Sequence, residues 1–235
     1  MLTAIIVAAG SSRRLGFDKL TAPIAGKPLI AHTVDAFGQT KCVDQIVVVT
    51  RADRINEFEG LLRNAGKVAA IVAGGEHRHN SVEAGLRTLK ENTRYVAVHD
   101  GARPLITPAA IEQVFEAARK HGAASLAEAV RDTLKRAGED LVVNQSVDRS
   151  DVYAMQTPQV FERSLLEQAY AAVAKNGQLV TDEVSAVELL GLNVLLVPND
   201  EVNLKITYER DLKLAEAVLR QRDSLMAGSQ TSTFD

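Results

Sequence analysis

Tryptophan is absent from this 235-residue chain, aromatic residues make up 4% of it, and cysteine occurs once. A lone cysteine, Cys42, forms no internal disulfide, so it reads as a small buried or half-buried side chain in a reducing, cytoplasmic compartment. No apolar run approaches the roughly 18 residues that cross a bilayer, and Leu2 to Ala9 lacks the basic n-region and the length of a signal peptide. Excess positive charge is missing too, the formal net charge being -3. That excludes a global basic field for nucleic acid or an anionic membrane, so positive sites are local and partners are small.

What is present is aliphatic. Hydrophobic residues reach 46%, mostly alanine, valine and leucine, ample for a core of buried strands under alanine-rich helices. Short apolar runs recur at "TAIIVAA", "QIVVVT", "VAAIVA", "YVAVH", "AASLAEAV" and "NVLLVP". Segments with helical spacing separate them, including "PLIAHTVDAF", "SVEAGLRTLKEN" and "TPAAIEQVFEAARKHG". In the last, Thr107 fits an N-cap, Pro108 the first helical position and Gly122 the stop. This alternation predicts an α/β fold with a mostly parallel sheet covered on both faces.

The rhythm lapses over about 131–159, where polar and apolar residues alternate around an "AGED" turn. That stretch predicts a protruding β-arm, unstable alone, which packs on another subunit and makes a homodimer. Helical spacing then resumes and ends in a tail, about 227–235, that reads as flexible. With no repeat, linker or composition shift, 1–235 is expected to be one domain.

In a parallel sheet, ligands bind beyond the carboxyl ends of the strands. "AAGSSRRLG" after the first strand supplies successive amides suited to phosphate oxygens, with Arg14 and Lys19 adding charge; it matches neither a Walker A loop nor G-x-G-x-x-G. In "GGEHRHNSVEAGL", Gly74 and Gly75 admit a flat ligand, Ser81 marks a helix start, and His77 and His79 read as exposed loop residues. "VHDGARPLIT" ends a strand in Asp100, either a ligand for Mg²⁺ bridging phosphates or a turn carboxylate, with Arg103 as an anion-binding or structural partner. "VDRSDVYAMQTPQVF" adds Arg149 and Thr157, and "NLKIT" adds Lys205. No side-chain nucleophile announces itself. Anion binding without one fits phosphoryl or nucleotidyl transfer by positioning and electrostatics.

In their order and spacing, "AAGSSRRLG", "GGEHRHNSV", "HDGARP", "VRDTLKR", "TPQVF", "TDEVSA" and "NLKIT" resemble the 2-C-methyl-D-erythritol 4-phosphate cytidylyltransferases of non-mevalonate isoprenoid synthesis. The resemblance covers nearly the whole chain. It implies a Rossmann-like fold with a dimerising arm, and Mg²⁺-dependent transfer of CMP from CTP to the phosphate of methylerythritol phosphate. Ala8, Ala9, Gly10 and Ser12 would line the CTP phosphates, with Arg14 and Lys19 on the triphosphate and departing pyrophosphate. Gly75, Glu76 and Ser81 would surround cytosine, Asp100 would bind the metal, and Lys205 would lie against the α-phosphate. Arg103 would join the acceptor side, where Thr133, Arg149, Thr157 and Thr181 would hold methylerythritol phosphate, some of them across the dimer.

Three other readings stay open at this point. A relative acting on another polyol phosphate, such as ribitol 5-phosphate, would share the CTP half. A molybdenum cofactor nucleotidyltransferase shares "AAGSSRRLGFDK" but leaves "VRDTLKR", "TPQVF" and "TDEVSA" without a role. A non-catalytic nucleotide-binding homologue would keep the fold and lose transfer.

Overall fold

The computed structural model describes residues 1–10, 18–177 and 180–231, with backbone alone for 226–231. Its strands are β1 (Leu2–Val7), β2 (Pro23–Ile24), β3 (Lys27–Pro28), β4 (Gln45–Thr50), β5 (Val68–Ala73) and β6 (Tyr95–Asp100). They continue with β7 (Ala123–Ala129), β8 (Leu134–Ala137), β9 (Val143–Val147), β10 (Tyr153–Glu162) and β11 (Leu195–Pro198). The α-helices are α1 (Leu29–Gln39), α2 (Ile55–Leu62), α3 (Arg78–Leu86), α4 (Pro108–His121), α5 (Arg163–Asn176), α6 (Glu183–Glu188) and α7 (Glu209–Thr231).

All six apolar runs read from the sequence enter one seven-stranded sheet, ordered β11-β7-β10-β6-β1-β4-β5. Every pairing in it is parallel except those of β10, which runs antiparallel to both β6 and β7. Successive strand side chains point to opposite faces, so β1 sends Ala4 and Ile6 into one layer and Ile5 into the other. The first layer packs Phe37, Phe58, Ile111 and Ala215 of α1, α2, α4 and α7. The second packs Val82, Leu166 and Val184 of α3, α5 and α6. Each fully buried aliphatic or phenyl group contributes about 1.5–3 kcal/mol, which is why the fold follows the apolar pattern so closely.

The punctuation of α4 is as expected. Thr107 accepts from the Ala110 amide at 3.3 Å, Pro108 opens the helix, and Gly122 closes it at φ +82°. Helix α3 begins three residues before the expected Ser81, because Asn80 Oδ1 reaches back to the His77 amide at 3.2 Å and closes the first turn earlier. Helix α7 continues through Thr231, into the segment read as tail, and 232–235 lie outside the described residues.

Only β8 and β9 form the predicted arm, a two-stranded antiparallel hairpin whose tip exposes Leu141, Val142 and Val143. The expected extent to residue 159 is a correction. β10 starts at Tyr153 and lies inside the main sheet, buried from Gln156 to Phe161. Its glutamines, Gln156 and Gln159, are both buried and hydrogen-bonded within the protein. Among the described residues, no helix is long and apolar enough to cross a membrane.

Candidate active site

The parallel register sets Val7 beside Asp100, so the ends of β1 and β6 deliver Ala8–Gly10 and Asp100 to one edge of the sheet. β5 ends close by in Gly74 and Gly75. A Cβ on Gly74 would stand 2.6 Å from Ser81 Oγ and 2.8 Å from the Ala9 side chain, so only glycine lets these three segments meet. A cleft of about 210 Å³ results, with walls that include Ala8, Ala9, Gly10, Lys19, Gly75 and Glu76. His77, Arg78, Ser81, Asp100 and Lys205 add to its polar lining.

Asp100 is the hub of this cleft, 8% exposed. Lys205 Nζ lies 2.7 Å from its Oδ2, Arg78 Nη2 lies 3.2 Å from its Oδ1, and Arg103 Nε lies 3.7 Å from its Oδ2. Burial alone would raise the Asp100 carboxyl, but Arg78, Lys205 and Arg103 outweigh it and hold the group well below the usual carboxylate range. It is ionised at any pH of interest. Burial also works against the charge on Arg78, and Glu183 and Asp100 more than restore it.

Behind Asp100 the hydrogen bonds close on themselves. The Asp100 amide donates to Thr157 Oγ1 at 3.1 Å, and that hydroxyl pairs with His99 Nδ1 at 3.0 Å. His99 Nε2 faces the Arg103 carbonyl at 3.2 Å. Because a carbonyl only accepts, Nε2 carries the proton, Nδ1 accepts, and Thr157 donates to it. Desolvation pushes His99 down to about 3, so this ring is neutral.

Lys205 reaches Asp100 because its loop is stapled to β10. Asn199 and Asn203 each donate Nδ2 to Gln156 Oε1 at 3.0 Å, and the Ile206 amide donates to the Ala102 carbonyl at 2.8 Å. Lys19 Nζ donates to the Ile206 carbonyl at 2.7 Å, tying the first loop to the same segment. A second cleft of about 430 Å³, lined in part by Arg103, Arg131, Gln156 and Asn203, opens on the other side of Lys205. Lys205 is the one described residue common to both linings.

The expected site residues divide accordingly. Ala8, Ala9, Gly10, Lys19, Gly75, Glu76, Ser81, Asp100 and Lys205 share the first cleft. Ser12 and Arg14 lie outside the described residues. Arg103 lines the second cleft, its guanidinium committed to the carbonyls of Asn203 at 2.8 Å and Met155 at 3.4 Å. Thr157 is 4% exposed, lines neither cleft, and has its hydroxyl engaged by the Asp100 amide and His99 Nδ1. Thr181 is exposed before α6, with Oγ1 3.3 Å from Ser185 Oγ. Thr133 and Arg149 sit at the exposed root of the arm and line neither cleft; Arg149 donates to the Arg131 carbonyl.

Sequence reading missed Arg78, Gln156 and Glu183. Arg78 stood within a motif already singled out, between two histidines, and Gln156 within a stretch read as arm. Neither carried a local signal, because their partners are distant in the chain. His77 and His79 stack with ring centroids 5.5 Å apart, and no group of three or more His, Cys, Asp or Glu side chains among the described residues could hold a metal by itself. Cys42 is half-buried, its thiol pushed up to about 11 by desolvation.

A family model described as IspD, 2-C-methyl-D-erythritol 4-phosphate cytidylyltransferase, matches residues 2–221. The protein of that name from Pelotomaculum thermopropionicum is 38% identical over 231 residues, covering 96% of this chain and 97% of its own. The one from Geobacillus kaustophilus is 40% identical over 223 residues, covering 93% and 97%. Among solved structures, the 4-diphosphocytidyl-2C-methyl-D-erythritol synthase of Anaerococcus prevotii superposes with a TM-score of 0.84 at 29% identity, covering 94% of this chain and 98% of that one. The 2-C-methyl-D-erythritol 4-phosphate cytidylyltransferase of Thermus thermophilus gives 0.76 at 30%, covering 92% and 98%.

Proposed function

Because this chain belongs to the 2-C-methyl-D-erythritol 4-phosphate cytidylyltransferase family, we propose that the cleft around Asp100 is where it holds CTP and where Lys205 meets the reacting phosphate. The reaction is transfer of CMP from CTP to the phosphate of 2-C-methyl-D-erythritol 4-phosphate, giving 4-diphosphocytidyl-2-C-methyl-D-erythritol and pyrophosphate. The observation that carries the assignment of the site is the position of Lys205, paired with Asp100 and facing both clefts.

The acceptor phosphate is itself the nucleophile, so the protein needs no general base. It must bring two anions together. Unit charges about 4 Å apart repel by roughly 4 kcal/mol at an effective dielectric of 20. Lys19, Arg78 and Lys205 offset this in the first cleft, with Arg14 from the same opening loop as Lys19. Their grip strengthens as charge moves onto the departing pyrophosphate, and that difference between ground and transition state lowers the barrier. The amides of Ala8, Ala9 and Gly10 line the triphosphate, and Gly75, Glu76 and Ser81 surround cytosine.

Mg²⁺ fits this site only as a cation carried in with the nucleotide. Asp100 offers one ionised, largely buried carboxylate, shared with Lys205, Arg78 and Arg103, so it would hold Mg²⁺ only together with ligands from the nucleotide and water. The chemistry such an ion would supply there is neutralisation of triphosphate charge. On the acceptor side, Arg103 and Thr181 of one protomer act with Thr133 and Arg149 from the arm of a second copy. The exposed apolar tip of the arm supports a homodimer.

The test is pyrophosphate release with CTP, Mg²⁺ and a panel of polyol phosphates. Methylerythritol phosphate is expected to give the highest kcat/KM. Equal or faster turnover of ribitol 5-phosphate would overturn the acceptor assignment.

A further inference from the structure

Arg78 opens α3 and lines the nucleotide cleft, yet one arm of its guanidinium leaves that cleft. Nη2 lies 3.2 Å from Asp100 Oδ1, while Nη1 pairs with Oε1 of Glu183, the first residue of α6, which is 0% exposed. The Tyr170 hydroxyl donates to the same Oε1 at 2.9 Å, and Glu183 Oε2 has no hydrogen-bond partner among the described residues. A carboxylate this deeply buried stays charged only beside a cation, so the place of Glu183 depends on the Arg78 fork.

Gln159 completes the anchorage of that helix. Its Oε1 accepts from the amides of Glu183 and Val184, both at 3.1 Å, and its Nε2 donates to Asp182 Oδ2 at 2.8 Å. Asp182 in turn caps Ser185, whose hydroxyl faces Thr181. Two elements from opposite sides of the reaction thus share one guanidinium: the Asp100 wall of the nucleotide cleft and the turn that presents Thr181.

We propose that Arg78 and Glu183 are a positioning pair that sets the Thr181 turn at a fixed distance from the nucleotide cleft, so that the acceptor is aligned with the α-phosphate. The pair acts through Thr181 and Asp100, and the proposal rests on the roles assigned to those two residues above. The planar fork of arginine serves two carboxylates at once, which a lysine ammonium in the same place does poorly.

The experiment compares Glu183→Gln, Arg78→Lys, Thr181→Ala and the double variant Glu183→Gln/Thr181→Ala. It measures CTP affinity by calorimetry, KM for methylerythritol phosphate and kcat by pyrophosphate release, and folding by thermal melting. Glu183→Gln is expected to raise the acceptor KM about tenfold while CTP affinity changes less than about threefold. Thr181→Ala is expected to raise the same KM about tenfold in the wild-type background and less than about threefold beside Glu183→Gln, since coupled residues do not add. Arg78→Lys should lose kcat and acceptor affinity even where it melts as wild type does.

Acceptor kinetics unchanged in folded Glu183→Gln, or effects that multiply in full with Thr181→Ala, overturn the pair while leaving Thr181 in place. No effect of Thr181→Ala alone removes Thr181 from the acceptor, and the proposal with it. Failure of both Glu183→Gln and Arg78→Lys to fold makes the ion pair structural and also overturns it.

Discussion

The ammonium of Lys205 stands 2.7 Å from Asp100 Oδ2, joining the loop between β11 and α7 to the end of β6 across one wall of the cleft. Asp100 thereby carries two duties. It lines the cleft proposed for the nucleotide, and it keeps three neighbouring cations from repelling one another.

Lys205→Ala removes the cation assigned to the α-phosphate. A donor acting chiefly in the transition state is worth about 100-fold or more in kcat, so kcat should fall by about that factor while the KM for CTP changes little. Steady-state pyrophosphate release measures both, and unchanged turnover would take Lys205 out of the reaction.

Asp100→Asn leaves Arg78, Lys205 and Arg103 facing one another without their shared counter-charge. Removing one partner of a largely buried ion pair costs about 3 kcal/mol or more. The urea midpoint should fall accordingly, together with turnover. A variant as stable as the parent would show that the three cations do not depend on this carboxylate.

Arg149→Ala should raise the KM for methylerythritol phosphate about tenfold and leave the KM for CTP within about twofold, because its side chain lies outside the nucleotide cleft of its own chain. If the arm serves the other protomer, co-folding Arg149→Ala with Lys205→Ala should restore some turnover, since mixed dimers contain one intact site. No recovery in verified mixed dimers would place Arg149 outside the partner's site.

His99 gives the fold a pH dependence of defined sign. Buried and neutral, it titrates at about 3 in the folded protein against about 6.5 when unfolded. Between these values the unfolded chain binds the extra proton, so stability is full above about 6.5 and declines as pH falls toward 3, by up to about 1.4 kcal/mol per pH unit. Asp100 behaves differently, since its depressed carboxyl withholds its own contribution to the decline until pH drops below about 4. His99→Gln should flatten the urea midpoint between pH 7 and 5. A slope identical to the parent's would assign the dependence to another group.

The sequence by itself determined the six parallel strands, the caps of α4, the glycine-rich turns and the position of Asp100 at the end of a strand. These follow from interactions local to the chain: apolar periodicity selects buried strands, and capping residues act within one turn. Only the tertiary structure decided that Thr157 lies behind Asp100, that β10 belongs to the sheet and not to the arm, and that Arg78 answers Glu183 from 105 positions away. A glutamine in a polar alternation looks the same whether water or a buried asparagine meets it, as Gln156 is met by Asn199 and Asn203. Burial and long-range pairing of charges depend on which strands become neighbours, and that is settled only when the sheet closes.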